Sequence, residues 1–186
     1  ELLWFKFKKH TANENFFDEW NENSAYILGY IAADGCVTWD KKKGHYNLTI
    51  TAAEKDKDNL EKVRTILESS NPLLYSPVTR SFRLIINNKK IPSDLIRLGI
   101  VPRKSLILEF PTIPESYLNH FLRGVIDGDG NVRYVEIKRS PYFEITIASG
   151  SIKFCEGLIK AVRENTGISA NARKINENLY IIQYSS

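Results

Sequence analysis

Two stretches decide the fold: Ala25-Tyr-Ile-Leu-Gly-Tyr-Ile-Ala-Ala-Asp-Gly35 and His120-Phe-Leu-Arg-Gly-Val-Ile-Asp-Gly-Asp-Gly130. Gly29 aligns with Gly124, Ile31 with Ile126, Asp34 with Asp129 and Gly35 with Gly130, each pair 95 residues apart (129 − 34 = 95). The same offset carries Ile50 onto Ile145, Thr51 onto Thr146, Ala53 onto Ala148 and Val63 onto Leu158. Further on, Phe82, Leu84 and Ile85 resemble Leu179, Ile181 and Ile182 at an offset of 97. One matched nonapeptide is within reach of chance. A helix, a strand and a following helix matched in one register form an internal repeat.

Working outward from the first stretch, a largely apolar helix starts at Ser24, whose hydroxyl suits an N-cap. It stops at Asp34-Gly35, where glycine tolerates a positive φ. Residues 46–52 alternate: Tyr46, Leu48, Ile50 and Ala52 on one face, Asn47, Thr49 and Thr51 on the other. That period of two predicts a half-buried strand. Residues 36–40 form its hairpin partner through Lys41-Lys42-Lys43-Gly44. An amphipathic helix over 56–69 carries Leu60, Val63 and Leu67 on one face. Phe82, Leu84 and Ile86 alternate with Arg83 and Ile85 in a further strand, and a short helix over 93–98 ends at Gly99.

The second stretch repeats the plan: helix 116–128, strands 131–138 and 142–148, helix 151–165 and a closing strand at 178–183. The organisation predicted is an N-terminal segment (1–23), a first repeat (24–110), a linker containing Pro111 and Pro114 (111–115) and a second repeat (116–186). The second repeat has nothing matching the helix at 93–98, so it reads as incomplete at its C-terminus. The chain begins at Glu1 and holds no Met, which fits an excerpted chain. The aromatic residues Trp4, Phe5, Phe7, Phe16, Phe17 and Trp20 are expected to pack on the body.

With 186 residues, 42% of them apolar and 26% charged, the chain is globular and not disordered. A net charge of +4 permits a polyanionic partner without demanding one. Cys36 and Cys155 stand too far apart for a zinc module and read as small buried hydrophobes. His10, His45 and His120 do not cluster. No apolar run reaches the roughly 18 residues that span a bilayer, and no secretory signal opens the chain, which points to an intracellular, membrane-free setting. P-loop and dinucleotide fingerprints are absent.

Chemistry enters through the repeated helix. Gly29 and Ala33 form one pair of small residues a turn apart, Gly124 and Gly128 another, which lets two helix backbones approach closely. Packing the two helices about a pseudo-twofold axis brings Asp34 and Asp129 together at two helix C-termini. Each such end carries about half a negative charge of its own. Two carboxylates there need a shared proton or a cation between them. Oxygen ligands favour Mg²⁺, with Mn²⁺ or Ca²⁺ as substitutes, and a divalent ion on paired carboxylates is a device for phosphodiester chemistry. A single Asp-Gly after a helix is usually a turn. Its recurrence at equivalent points of a repeat favours a site.

The two nonapeptides, Ile27 to Gly35 and Leu122 to Gly130, resemble the paired signatures of the LAGLIDADG homing endonucleases. Ala32 stands where the first copy would carry its inner Asp. Val101-Pro-Arg-Lys-Ser-Leu-Ile-Leu-Glu-Phe-Pro111 and Asn13-Glu-Asn-Phe-Phe17 also resemble stretches of free-standing members. The resemblance spans about residues 13–186 and implies a single-chain, two-repeat α+β protein. Each repeat would be an αββαββα unit, and the two antiparallel sheets would form a saddle on DNA. It implies a monomeric, sequence-specific double-strand DNA endonuclease, in which Asp34 and Asp129 bind catalytic divalent ions and the carbonyls of Ala33 and Gly128 add ligands.

On that footing Lys104 is a candidate for stabilising developing phosphate charge. Asn47, Thr49, Thr51 and Arg83 on the first sheet are DNA-contact candidates. So are Arg133, Lys138 and Arg139 at the second hairpin, and Lys41, Lys42 and Lys43 at the first hairpin tip. The alternative for each sheet residue is an ordinary solvated polar face, and for Lys104 a purely structural role. Two other readings of the same fold remain: a DNA-binding regulator that does not cut, and an RNA-binding intron maturase.

Overall fold

The computed structural model describes residues 10–136 and 140–185. Each half folds as a four-stranded antiparallel sheet with helices on one face. The first half contains α1 (Glu22–Asp34), β1 (Gly35–Asp40), β2 (His45–Ala53), α2 (Lys57–Ile66), β3 (Leu73–Ser76), β4 (Ser81–Asn87) and α3 (Lys90–Arg97). The second contains α4 (Leu118–Asp129), β5 (Gly130–Val135), β6 (Tyr142–Ser149), α5 (Ile152–Thr166), β7 (Ala172–Asn176) and β8 (Leu179–Ser185). Strand order is β1-β2-β4-β3 in one sheet and β5-β6-β8-β7 in the other. The α+β repeat architecture read from the sequence is thus present, with both sheets and the central helix pair.

Helices α1 and α4 make the most extensive contact of any two helices. Every residue of α1 from Ser24 to Ala32 is buried, as a helix that is apolar all round requires. The contact is symmetric to the atom. A Cβ placed on Gly29 would lie 2.1 Å from the Phe121 carbonyl oxygen, and one on Gly124 would lie 2.0 Å from the Tyr26 carbonyl oxygen. Phe121 is the counterpart of Tyr26 at the 95-residue offset (121 − 26 = 95). Backbone meets backbone at both crossings, so neither glycine can carry a side chain. Gly128 meets the Ala33 side chain, with a built Cβ 2.5 Å from the Ala33 Cβ.

Three local expectations change. The N-cap of α1 is Asn21, and Ser24 sits at the third helical position of a reciprocal capping box. The box satisfies two N–H groups where a lone Ser24 cap would satisfy one. Gly35 does not adopt a positive φ: its φ is −83°, and Gly130 is likewise extended. Glycine stands there because the chain leaves the helix so sharply that a Cβ would strike Ile31 in one copy and Ile126 in the other. Cys36 is exposed on β1, whereas Cys155 is buried.

The repeat register also needs correction. Ile50 pairs with Gly35, and Ile147 pairs with Gly130, so Ile147 and not Ile145 is the counterpart of Ile50 (147 − 50 = 97). Leu84 pairs with Ile50 and Ile182 with Ile147, which sets the closing strand at 182 − 84 = 98. The offset of 97 for that strand would have turned Ile181 inward. A one-residue slip exchanges the two faces of a strand, and it is Ile182 that is fully buried. The hairpin of the second copy has a six-residue connection (136–141) against four (41–44) in the first. The second copy then enters α5 through Gly150 and Ser151 alone, without the 3₁₀ turn Glu54–Asp56, and returns to register.

Phe16, Phe17 and Trp20 pack on the core as expected. Trp4, Phe5 and Phe7 lie outside the described residues. No helix among the described residues is long and apolar enough to cross a membrane.

Candidate active site and nucleic-acid interface

Both central helices end in an aspartate followed at once by an edge strand, so Asp34 and Asp129 stand at the start of the two sheets. The last turns of α1 and α4 contain no basic residue. Asp34 Oδ2 lies 3.3 Å from a Cβ built on Gly128, on the opposing helix. Burial pushes the Asp34 carboxyl up to about 6, with Asp129 and Asp56 adding to the rise and Lys104 opposing it. Burial also raises the Asp129 carboxyl against the pull of Lys104. The two aspartates and Lys104 therefore form one electrostatic unit.

Lys104 enters from the segment between α3 and α4. Arg103 in the left-handed region turns the chain into a 3₁₀ turn, Lys104–Leu106. That loop is clamped by the second repeat. Ser151 Oγ donates to the Leu108 carbonyl at 2.6 Å, and the Ser105 carbonyl rests where a side chain at position 150 would go. The Lys104 side chain is 7% exposed. Its Nζ donates to the carbonyls of Ala32 at 2.5 Å and Ala33 at 2.9 Å. An ammonium thus satisfies two free carbonyls at the negative end of α1. Burial lowers its pKa, while Asp129 and Asp34 act to hold the charge. Among the described residues the end of α4 has no such lysine.

The donors gathered here are two carboxylates and the last carbonyls of two helices, all oxygen. That set suits a hard divalent ion and not zinc. Among the described residues no group of three or more His, Cys, Asp or Glu side chains gathers as a metal site. An ion held here would complete its shell with water or phosphate oxygens. Ala33 is at present engaged by Lys104. Gly29 and Gly124 act as packing residues, as read. Asp127, the inner acid of the second motif, belongs to the interface: it accepts from the Tyr26 hydroxyl at 2.8 Å.

The faces of the sheets away from the helices begin directly at this centre, with Cys36 on β1 and Asn131 on β5. On the first sheet, Asn47, Thr49, Thr51 and Arg83 occupy the outward rows, with Thr51 paired to Arg83. Lys41, Lys42 and Lys43 are exposed at the hairpin tip, where Asp40 Oδ1 accepts from the backbone N–H groups of Lys42 and Lys43. On the second sheet Arg133 is outward and paired with Glu144. Lys138 and Arg139 lie outside the described residues. Sequence reasoning passed over Glu144 and Gln183. Nothing local in the sequence announces that Glu144 would be buried on the outward face.

Residues 21–92 match the LAGLIDADG-like domain family. No curated protein matches the sequence. Among solved structures, the I-LtrWI LAGLIDADG homing endonuclease bound to target DNA aligns with a TM-score of 0.57 at 14% identity, covering 94% of this chain and 80% of that one. I-DmoI in complex with DNA and Ca aligns at 0.59 and 16% identity, covering 92% and 83%. The N-terminal LAGLIDADG domain of DUF199/WhiA aligns at 0.55 and 13%, covering 94% and 83%. At these identities the likeness is one of fold. The first repeat thus matches the LAGLIDADG-like domain family, and the whole two-repeat chain shares the fold of LAGLIDADG homing endonucleases.

Proposed function

We propose that the chain is a divalent-metal-dependent, sequence-specific endonuclease of double-stranded DNA. The observation that carries the reading is the pair of carboxylates, Asp34 half-buried and Asp129 open to solvent, brought together at two helix C-termini by backbone-to-backbone packing. A protein gains no stability from such a pair, since burial and mutual repulsion both oppose its charge. Asp34 and Asp129 would hold Mg²⁺, or Mn²⁺ or Ca²⁺ in its place, with the carbonyls of Ala33 and Gly128 beside them. A bound ion would supply there an activated water and charge stabilisation for the leaving oxygen.

Lys104 would leave the Ala33 carbonyl and place its ammonium against the phosphate, where it steadies charge as it develops. Asn47, Thr49, Thr51, Arg83 and Arg133 would face the duplex, with Lys41, Lys42 and Lys43 on its backbone. Lys138 and Arg139 are proposed to join them. Both halves of the site come from one chain, so the monomer suffices.

One observation favours a second reading, a duplex-binding protein that does not cut. The Lys104 ammonium already occupies the Ala33 carbonyl and serves the carboxylates as their cation. Binding of structured RNA in the manner of a maturase is the remaining variant. The test is a selection for cleaved ends from a randomised duplex library with Mg²⁺, repeated for Asp34→Asn and Asp129→Asn. Recovery of one asymmetric site, lost in both variants while binding persists, supports the nuclease. Binding of duplex without cleavage by the parent supports the second reading. Preference for RNA over duplex in competition would overturn both.

A further inference from the structure

The outward face of the second sheet holds an arrangement that the first sheet lacks. Glu144, on β6, is 4% exposed although it lies on the face away from the helices. One of its oxygens accepts from Arg133 Nε at 2.6 Å and the other from Gln183 Nε2 at 2.6 Å. Arg133 comes from β5 and Gln183 from β8, the two strands that flank β6. Both carboxylate oxygens are therefore spent within the sheet, and the two partners remain exposed. The counterparts on the first sheet are Thr38, Asn47 and Ile85, none of them charged.

A lone arginine on a sheet face is a mobile charge that meets any phosphate. This one is different. The Nε bond fixes the plane of its guanidinium and leaves the two terminal nitrogens outside the pair. Those nitrogens are the fork that matches O6 and N7 of guanine. A buried carboxylate is also a poor neighbour for a phosphate, so the trio suits a base edge better than a backbone.

We propose that Glu144 is a positioning residue that aims Arg133 at a guanine in the major groove, with Gln183 held against the neighbouring base. The proposal rests on the reading of the chain as a duplex-DNA binder. Its place in the site follows from the strand. Arg133 is four residues beyond Asp129, about 13 Å of extended chain, which at roughly 3.4 Å per base pair sets the guanine about four base pairs from the centre of cleavage. It lies in the half read by the second repeat only.

The test is equilibrium binding to the selected site and to its single-base variants at every position, in Ca²⁺ to suppress cutting, for the parent, Arg133→Lys, Glu144→Gln and Gln183→Ala. The parent is expected to discriminate for guanine at one second-half position by roughly ten- to a hundredfold. Arg133→Lys and Glu144→Gln should both flatten that position while preferences in the first half stay as they are. The slope of affinity with salt should hold, because the Lys variant keeps its charge. Gln183→Ala should relax only the adjacent position. Discrimination that survives Arg133→Lys overturns the proposal. So does an even loss across all positions in Glu144→Gln, since that is what a merely structural carboxylate would give. Failure of the parent to bind any duplex would instead overturn the functional reading on which this one rests.

Discussion

The two repeats agree in strand order and where backbone touches backbone, and differ in what covers the two faces of their sheets. At the α1–α4 crossing, Gly29 faces the carbonyl of Phe121 as Gly124 faces that of Tyr26. On the sheets, the first copy is covered on its helix side by α3, through Ile91 and Leu95, both fully buried. The second copy leaves Val132, Tyr134 and Phe143 exposed by 54, 56 and 58% at the matching places. Its outward face carries Arg133, Glu144 and Gln183 where the first carries Thr38, Asn47 and Ile85. A helix crossing without room for a Cβ admits one residue type. A strand face admits many, so this is where the two halves are free to differ.

The largest effect should break the symmetric part. Gly29→Ala and Gly124→Ala should each cost about 3 kcal/mol or more, because the obstacle is a carbonyl that cannot move aside. The two losses, read by urea unfolding, should match closely. A mild cost at one and a severe cost at the other would mean that the twofold contact is not shared equally.

Next come the covered and uncovered sheet positions. Val37→Ser, beneath α3, should cost about 2 kcal/mol, and the equivalent Val132→Ser less than about 0.5 kcal/mol. Equal losses in thermal unfolding would contradict the difference in burial between the copies.

Lys104→Met should destabilise by about 2 kcal/mol, since it strands the Ala32 and Ala33 carbonyls and leaves two carboxylates without a cation. Millimolar Mg²⁺ should restore Tm further in this variant than in the parent. An Mg²⁺ response no greater than the parent's would separate the lysine from the carboxylate pair.

A further effect concerns pH. The Asp34 carboxyl is raised to about 6 from an ordinary 3.8. Between those values the folded chain keeps a proton that the unfolded chain has lost, so stability falls as pH rises through the window. Without divalent ion, Asp34→Asn should match the parent below about pH 4 and exceed it increasingly towards pH 6, after which the gap levels off. A variant less stable than the parent at pH 8 would show that attraction to Lys104 outweighs burial.

Much of this was legible in the sequence. The repeated nonapeptide was enough to give the helix pair, the glycine contacts and the meeting of Asp34 with Asp129, because helix period and small-residue spacing are local. The alternation at Leu48, Ile50 and Ala52 gave the inward face of β2 correctly. What failed was non-local. The two-residue lengthening of the second hairpin is cancelled before α5, so a single offset hid it and displaced Ile147. The bond of Lys104 to Ala32 and Ala33 spans 72 and 71 residues. The burial of Glu144 depends on partners from two neighbouring strands. Cys36 was misjudged because a strand residue takes its exposure from parity and not from its own polarity.

The central claim is that the junction of the two motif helices is a cation site built from one carboxylate of each repeat. The most direct measurement is anomalous scattering from crystals grown with Mn²⁺, for the parent and for the Asp34→Asn, Asp129→Asn double variant. The account predicts manganese at Asp34 and Asp129 in the parent and none in the variant. Manganese elsewhere, or a parent in which Lys104 still holds the Ala33 carbonyl with no ion beside the aspartates, would contradict it.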